Sequence, residues 1–367
     1  MNTDFIDALT EIEREKGIDK EVLIDAIEAA LISGYKRNFN SAQNVRVDVN
    51  RDTGQVKVYA RKTVVEEVLD PRLEISIDAA QEIDPNYQLD DIVEIEVTPR
   101  DFGRIAAQTA KQVVTQRIRE AERGIIYSEF IDREDDIIAG IVQRQDARNY
   151  YIDLGKVEAI MPINEKMPGE NFIQGDRLKA YITKVEKTTK GPQIFVSRTH
   201  PGLLKRLFEL EVPEIYDGVV EIKSVAREAG DRSKISVHSI DPNVDPVGAC
   251  VGPKGIRVQT IVNELRGEKI DIVKWSEDPK VYVANALSPS KVLTVDVVEE
   301  EKMTRVVVPD YQLSLAIGKR GQNARLAAKL TGWKIDIKSE TQAKKDGYDL
   351  PDMDQQEDSP GETSLNE

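Results

Sequence analysis

Gly252-Pro253-Lys254-Gly255 and Gly318-Lys319-Arg320-Gly321 are two copies of one pattern, Gly-x-x-Gly with a basic residue inside. Each follows a short apolar segment, Val247 to Val251 in the first copy and Gln312 to Ile317 in the second. Each leads into a run that reads as a helix and then into the same tetrapeptide, Lys269-Ile270-Asp271-Ile272 and Lys334-Ile335-Asp336-Ile337. The loops recur at an interval of 66 residues and the tetrapeptides at 65, so one structural unit is repeated. Paired glycines remove the Cβ atoms that would block a close backbone approach. The helix that follows offers unpaired N–H groups and the positive end of a dipole, which suits phosphate.

The plain alternative is a pair of helix-to-helix turns. Two basic copies in register favour nucleic acid instead, because this combination clamps the backbone of a single strand, as in KH domains. Lys254, Lys319 and Arg320 are then expected to meet phosphates, with Pro253 and the four glycines shaping the approach. Arg257, Asn323 and Arg325 fall in the first turn or so of the following helices and are expected to reach backbone or bases. Phosphate contacts of this kind confer affinity but no choice of sequence.

Charge supports the same site. The 367-residue chain carries a net charge of −15, yet residues 218–338, which hold both loops, are net +3. It is the local field that decides binding. Aromatic residues are 5% and charged residues 32%, so the cores must be modest and aliphatic. Cys250 is the single cysteine, which rules out an internal disulfide and fits a reducing, cytoplasmic setting. The N-terminus lacks a basic-then-apolar leader, and no apolar run approaches the roughly 20 residues that span a bilayer, so no membrane partner is expected.

Residues 1–130 read as an α/β domain. Phe5, Ile6, Leu9 and Ile12 have helical spacing, and a second helix starts after Asp19 as N-cap. Val45 to Val49, the turn at Asp52-Thr53-Gly54 and Val56 to Tyr59 make a hairpin; Ile92 to Val97 is a further strand. A long connecting helix runs from about Phe102 to Ile118, with Arg104, Lys111 and Arg117 on its exposed side. Residues 134–200 hold five short strands punctuated by Gly155, Gly175 and Gly191, the pattern of a small OB-type barrel. Within it Tyr150 and Tyr151 must face opposite sides, and Tyr151 is a candidate platform for a base. Arg198, just after the last strand, is a candidate phosphate partner. A linking helix and the first repeat occupy 202–280, the second repeat 281–345, and an acidic, apolar-poor tail expected to be disordered fills 346–367.

Other chemistries fail on inspection. Asp241-x-Asn243-x-Asp245 opens like a calcium loop, but Pro246 stands where glycine is needed and Gly252 where glutamate is needed. Gly318-Lys319 lacks the upstream glycine and the hydroxyl residue of a nucleotide-binding P-loop. His200 and His238 are the only histidines, and a zinc site is not expected. No carboxylate pair is singled out by spacing, so neither enzyme activity nor a cofactor is expected.

The order of parts resembles the NusA family of bacterial transcription factors. The resemblance is carried by Phe102 to Val114, Asp245 to Gly255 and Leu315 to Arg325, and it covers about residues 1–345. It implies an N-terminal polymerase-binding domain, an S1 barrel and two type II KH domains. S1 domains often carry an aromatic residue on the second strand, which Tyr151 matches, and a histidine on the third, where this chain has Pro162. The family implies docking on RNA polymerase, for which Arg104, Lys111 and Arg117 are the candidate contacts, and capture of nascent single-stranded RNA. Pausing, intrinsic termination and antitermination are modulated in consequence, with other antitermination factors as further candidate partners and a monomer as the expected state. Two rival readings stay open at this level: an accessory of RNA processing, since S1 and KH modules accompany phosphorolytic exonucleases, and a translation-associated RNA chaperone.

Overall fold

The computed structural model describes residues 3–38 and 44–347. They form two compact units, one of residues up to 129 together with 187–192, the other of 130–186 and 193 onward. The acidic tail expected over 346–367 lies outside the described residues from 348 on.

In the first unit, helices α1 (Thr3–Lys16) and α2 (Lys20–Asn38) precede strands β1 (Val45–Val49) and β2 (Val56–Val65). Asp19 caps α2 as expected, its Oδ1 accepting from the Glu21 amide at 2.7 Å. Strand β3 (Glu74–Ser76), helix α3 (Ile77–Ile83), strand β4 (Ile92–Glu96) and helix α4 (Phe102–Ile131) follow. The long strand β2 pairs antiparallel with β1 and β4 and parallel with β3. Leu9, Leu23, Ile27, Leu31, Val47, Val58, Phe102 and Ala106 form the main core, where apolar stripes of three helices meet one face of the sheet. Helix α4 continues 13 residues past the expected end at Ile118, because no glycine, proline or cap stops it there.

The second unit opens with five strands, β5 (Ile137–Gln145), β6 (Asn149–Asp153), β7 (Glu158–Pro162), β8 (Arg177–Thr188) and β9 (Gly191–Ser197). They close into a barrel in the order β5-β6-β7-β9-β8. Helices α5 (Pro201–Glu211) and α6 (Pro213–Tyr216) then lead to β10 (Val220–Glu228), β11 (Arg232–Ser239), α7 (Pro246–Val251), α8 (Ile256–Glu264) and β12 (Lys269–Lys274). After α9 (Pro279–Ala286) the order repeats as β13 (Thr294–Val298), β14 (Met303–Val308), α10 (Leu313–Ile317), α11 (Gln322–Thr331) and β15 (Lys334–Ser339), with α12 (Glu340–Lys345) at the end. In each repeat the first two strands are antiparallel and the Lys-Ile-Asp-Ile strand pairs parallel with the second. The recurring tetrapeptide is therefore the edge strand of two equivalent three-stranded sheets.

These parts share cores. Met167 and Tyr181 of the barrel, Leu203, Leu204, Leu207 and Phe208 of α5, and Ile235, Cys250 and Ile261 of the first repeat form one cluster. Ala226 and Val273 of the first repeat pack with Val306, Leu326 and Leu330 of the second. Polar contacts cross the same seam: Tyr282 Oη lies 2.8 Å from Ser236 Oγ, and the fully buried Lys234 ammonium donates to Asp271 and to the Ser288 carbonyl, each at 2.9 Å.

Candidate nucleic-acid interface

The two Gly-x-x-Gly loops have the same backbone. Gly252 and Gly318 sit at φ/ψ of 72°/173° and 76°/170°. Lys254 and Arg320 sit at 53°/23° and 53°/30°, and Gly255 and Gly321 at 77°/14° and 72°/17°. The amide of the last glycine donates to the carbonyl of the first, at 3.0 Å in one loop and 3.1 Å in the other. A side chain in the left-handed region costs roughly 1–2 kcal/mol, so both loops hold their basic residue in a strained conformation. A Cβ on Gly252 would lie 2.7 Å from Arg257 Cγ, and one on Gly318 would lie 2.8 Å from the Asn323 nitrogen. Glycine is required there by φ and by space together.

The apolar segments before the loops are helices, α7 and α10, so each loop is a helix-to-helix turn. Helices α8 and α11 start from Gly255 and Gly321 with no side chain hydrogen-bonded to their first amides. Their first turns therefore carry the positive end of the helix dipole. Pro253, Lys254, Lys319 and Arg320 are exposed.

Three residues expected to reach RNA are committed elsewhere. Arg257 donates Nη1 to the Ala249 carbonyl at 2.6 Å and to Glu214 Oε2 at 2.9 Å. Asn323 is 6% exposed and donates Nδ2 to the carbonyls of Ala316 and Leu287, both at 3.0 Å. Arg325 grips Glu228 through Nε at 2.6 Å and Nη2 at 3.1 Å, and donates Nη1 to the Arg320 carbonyl at 3.1 Å. All three fasten a loop, which identity and spacing could not reveal.

In the barrel Tyr150 is buried against Phe172 and Tyr151 faces outward, half-buried. A register shift in β5 between Val142 and Arg144 sets Arg144 opposite Tyr151. The Arg144 guanidinium lies 3.4 Å from the Tyr151 ring centre, and Tyr151 Oη donates to Asp146 at 2.8 Å. One face of the candidate platform is thus already stacked. Those contacts also hold the Asp146 carboxyl below its usual range, the Arg148 amide contributing most, then the Tyr151 hydroxyl.

Arg198 corrects the sequence reading. Its side chain is 2% exposed and its donors go to Glu170 at 2.7–3.0 Å, to Glu264 and to the Lys179 carbonyl. It bolts the barrel to α8 of the first repeat and has nothing left for a phosphate. Nearby, Arg227 pairs with Glu268, both wholly buried, and reaches the His200 carbonyl at 2.8 Å. Burial pushes the Glu268 carboxyl up, but hydrogen bonds from Arg227, Ser233 and the Gly230 amide outweigh it and hold the group below its ordinary value.

A cleft of about 370 Å³ lies between the repeats, lined by Arg232, Lys269, Pro289, Leu315, Lys319 and Gln322 among others. Sequence reading missed Arg232 and Lys269 as neighbours of the second loop. The available signal was Lys269 itself, which opens the repeated tetrapeptide. On the first unit Arg104, Lys111 and Arg117 are exposed along α4, as expected. Arg117 pairs with Glu120 at 3.2 Å, and Lys111 edges a groove of about 380 Å³ between α1 and α4. Among the described residues no group of three or more His, Cys, Asp or Glu side chains could hold a metal ion, and no helix is long and apolar enough to cross a membrane.

Comparison with known families matches four successive parts of the chain. Residues 4–124 match the NusA N-terminal domain, 131–197 the S1 RNA binding domain, 198–275 the NusA-like first KH domain and 279–345 the NusA-like second KH domain. The chain is 78% identical over 347 residues to the transcription termination/antitermination protein NusA of Halalkalibacterium halodurans, covering 95% of this chain and 91% of the relative. Against the protein of the same name from Bacillus subtilis the identity is 75%, with coverage of 95% and 94%; against that of Thermus thermophilus it is 43%, with 91% and 89%. By identity across nearly its whole length, and by the order of all four domains, this chain belongs to the NusA family of transcription termination/antitermination proteins.

Proposed function

We propose that the chain is a transcription elongation factor that binds RNA polymerase through its N-terminal domain and nascent single-stranded RNA through the S1 and KH domains. The observation that carries this reading is the pair of superposable basic loops on one body, in a chain whose relatives are named for termination and antitermination. The role is positional. Each KH loop grips phosphates weakly, and tethering the array to polymerase raises the local concentration of the transcript. Stabilising or redirecting the emerging strand then alters pausing, intrinsic termination and antitermination. The proposed polymerase contacts are Arg104, Lys111 and Arg117, the phosphate contacts Lys254, Lys319 and Arg320, and Tyr151 with Arg144 adds a stacking surface. The working place is the cytoplasm, and no catalytic step is assigned.

Capture of full-length chain on immobilised RNA polymerase, alone and with a labelled transcript, tests both arms. Arg104→Glu with Lys111→Glu and Arg117→Glu should abolish capture by polymerase and spare binding of free RNA. Lys319→Asp with Arg320→Asp should weaken RNA binding and spare capture by polymerase. Capture unaffected by the first set would remove α4 as the docking surface, and no capture of the unmodified chain would remove the polymerase arm.

A further inference from the structure

The two loops are alike, but the struts that hold them are not. In the first repeat the strut is Arg257, tied to Glu214 on α6. In the second it is Arg325, which holds the carbonyl of Arg320, the strained residue of that loop, and is itself held by Glu228 at the end of β10. The position equivalent to Arg325 in the first repeat is Gln259, whose amide goes to Asn263 at 2.9 Å and touches no loop carbonyl. Glu228 also accepts from Gln322 Nε2 at 2.9 Å, and Asp231 accepts from the same amide at 2.8 Å. Gln322 is the first residue of α11, directly after the loop. Two acidic residues of the first KH domain therefore hold both ends of the turn that opens α11 in the second.

We propose that Glu228 is a positioning residue for the second Gly-x-x-Gly loop, so that the phosphate grip of the second KH domain is set by the first. This rests on the reading that the loop binds RNA. Ordinary electrostatics predicts that deleting a carboxylate beside an RNA site strengthens binding. Positioning predicts the opposite sign, because Arg325 then loses the carboxylate that orients it and Gln322 keeps only Asp231. Glu228 is the last residue of its strand and its side chain is 24% exposed, so its loss leaves the core intact.

The experiment uses the full chain with Glu228→Ala, Arg325→Ala, the double variant, and Lys319→Asp with Arg320→Asp as reference. Affinity is measured by fluorescence anisotropy across a salt series, for an unstructured RNA long enough to reach both loops and one too short to do so. Glu228→Ala should weaken the long RNA about fivefold, a shift of the size a partly exposed ion-pair network commands. The slope of log affinity against log salt should stay unchanged, and the double variant should be no worse than Arg325→Ala alone. Tighter binding would mean that Glu228 shields Arg325 from RNA, and unchanged binding that the loop holds itself; either overturns the proposal. If the Lys319 and Arg320 reference leaves affinity untouched, the RNA reading of the loop is what fails. Amide hydrogen exchange across residues 319–321 then decides the strut alone: faster in Glu228→Ala supports it, and equal exchange sinks it.

Discussion

Arg257 and Asn323 occupy the same place, five residues after the first glycine of each loop, and each donates to a carbonyl in the helix before the loop, Ala249 at 2.6 Å and Ala316 at 3.0 Å. One role is filled by a long cation in the first repeat and by a short amide in the second. Arg257 is half-buried and needs Glu214 to neutralise it, whereas Asn323 is buried and neutral. A charge at 323 has no counter-ion among its contacts. Asn323→Asp should therefore cost several kcal/mol at pH 7, because a carboxylate would face two carbonyl oxygens at a buried position. A protonated Asp can donate one hydrogen bond, so its folded pKa is raised above the unfolded value of about 3.9 and the loss should shrink as pH falls toward that value. Urea denaturation at pH 7 and pH 5 checks this; equal losses at both would mean that the site admits water.

Replacing Gly318 by Ala puts a Cβ 2.8 Å from the Asn323 backbone nitrogen and forces a side chain to φ 76°. The expected loss is about 1–3 kcal/mol, and RNA affinity should fall with it because the loop must shift. Gly103→Ala on α4 meets nothing within 4 Å and should be neutral or stabilising in the same assay.

Lys319→Asp with Arg320→Asp should leave the melting temperature close to that of the unmodified chain, since both residues are exposed. Their effect should appear in RNA binding. Removing two phosphate contacts to a single strand flattens the salt slope by about 1.4. A slope unchanged in isothermal titration would dismiss both residues as contacts.

Arg198→Ala should act the other way round. It leaves Glu170, which is 1% exposed, with only the Met167 amide at 3.1 Å and Arg266 at 3.7 Å, and should destabilise the junction between barrel and first KH domain by about 3 kcal/mol. Arg198→Met combined with Glu170→Gln should recover much of that loss by removing both charges together. A stable Arg198→Ala that merely loses RNA would restore the phosphate role read from the sequence.

The Arg227–Glu268 pair sets an acid limit. Burial alone raises the Glu268 carboxyl, and its hydrogen bonds from Arg227, Ser233 and Gly230 bring it below the ordinary value of 4.5. A carboxyl whose folded pKa lies below its unfolded one adds stability that is present above the unfolded pKa and is lost as pH falls through the folded one. Stability should thus decline below about pH 4.5, and Glu268→Gln, weaker at neutral pH, should show a shallower decline. Thermal melts from pH 3 to pH 7 measure both.

Much of the architecture is written locally. The paired glycines mark the two loops, the recurring Lys-Ile-Asp-Ile marks a repeated unit, and short strands punctuated by Gly155, Gly175 and Gly191 mark the barrel. These readings succeeded because turn chemistry and period-two patterning act over a few residues. Helix α4 ran past its expected end because nothing in the sequence marks a stop there.

The duties of individual polar residues were not written locally. Arg198, Arg257, Asn323 and Arg325 read from the sequence as so many available donors, no different from Lys319 or Arg320. Arg325 meets Glu228 across 97 residues, Arg257 meets Glu214 across 43 and Arg198 meets Glu170 across 28. The sequence by itself determined where the two Gly-x-x-Gly loops lie, since a glycine's freedom at positive φ is a property of that residue. Only the tertiary structure decided which cations face solvent and which are spent holding those loops and joining the domains. A buried charge must find its partner wherever the fold brings one, and spacing along the chain carries no record of that meeting.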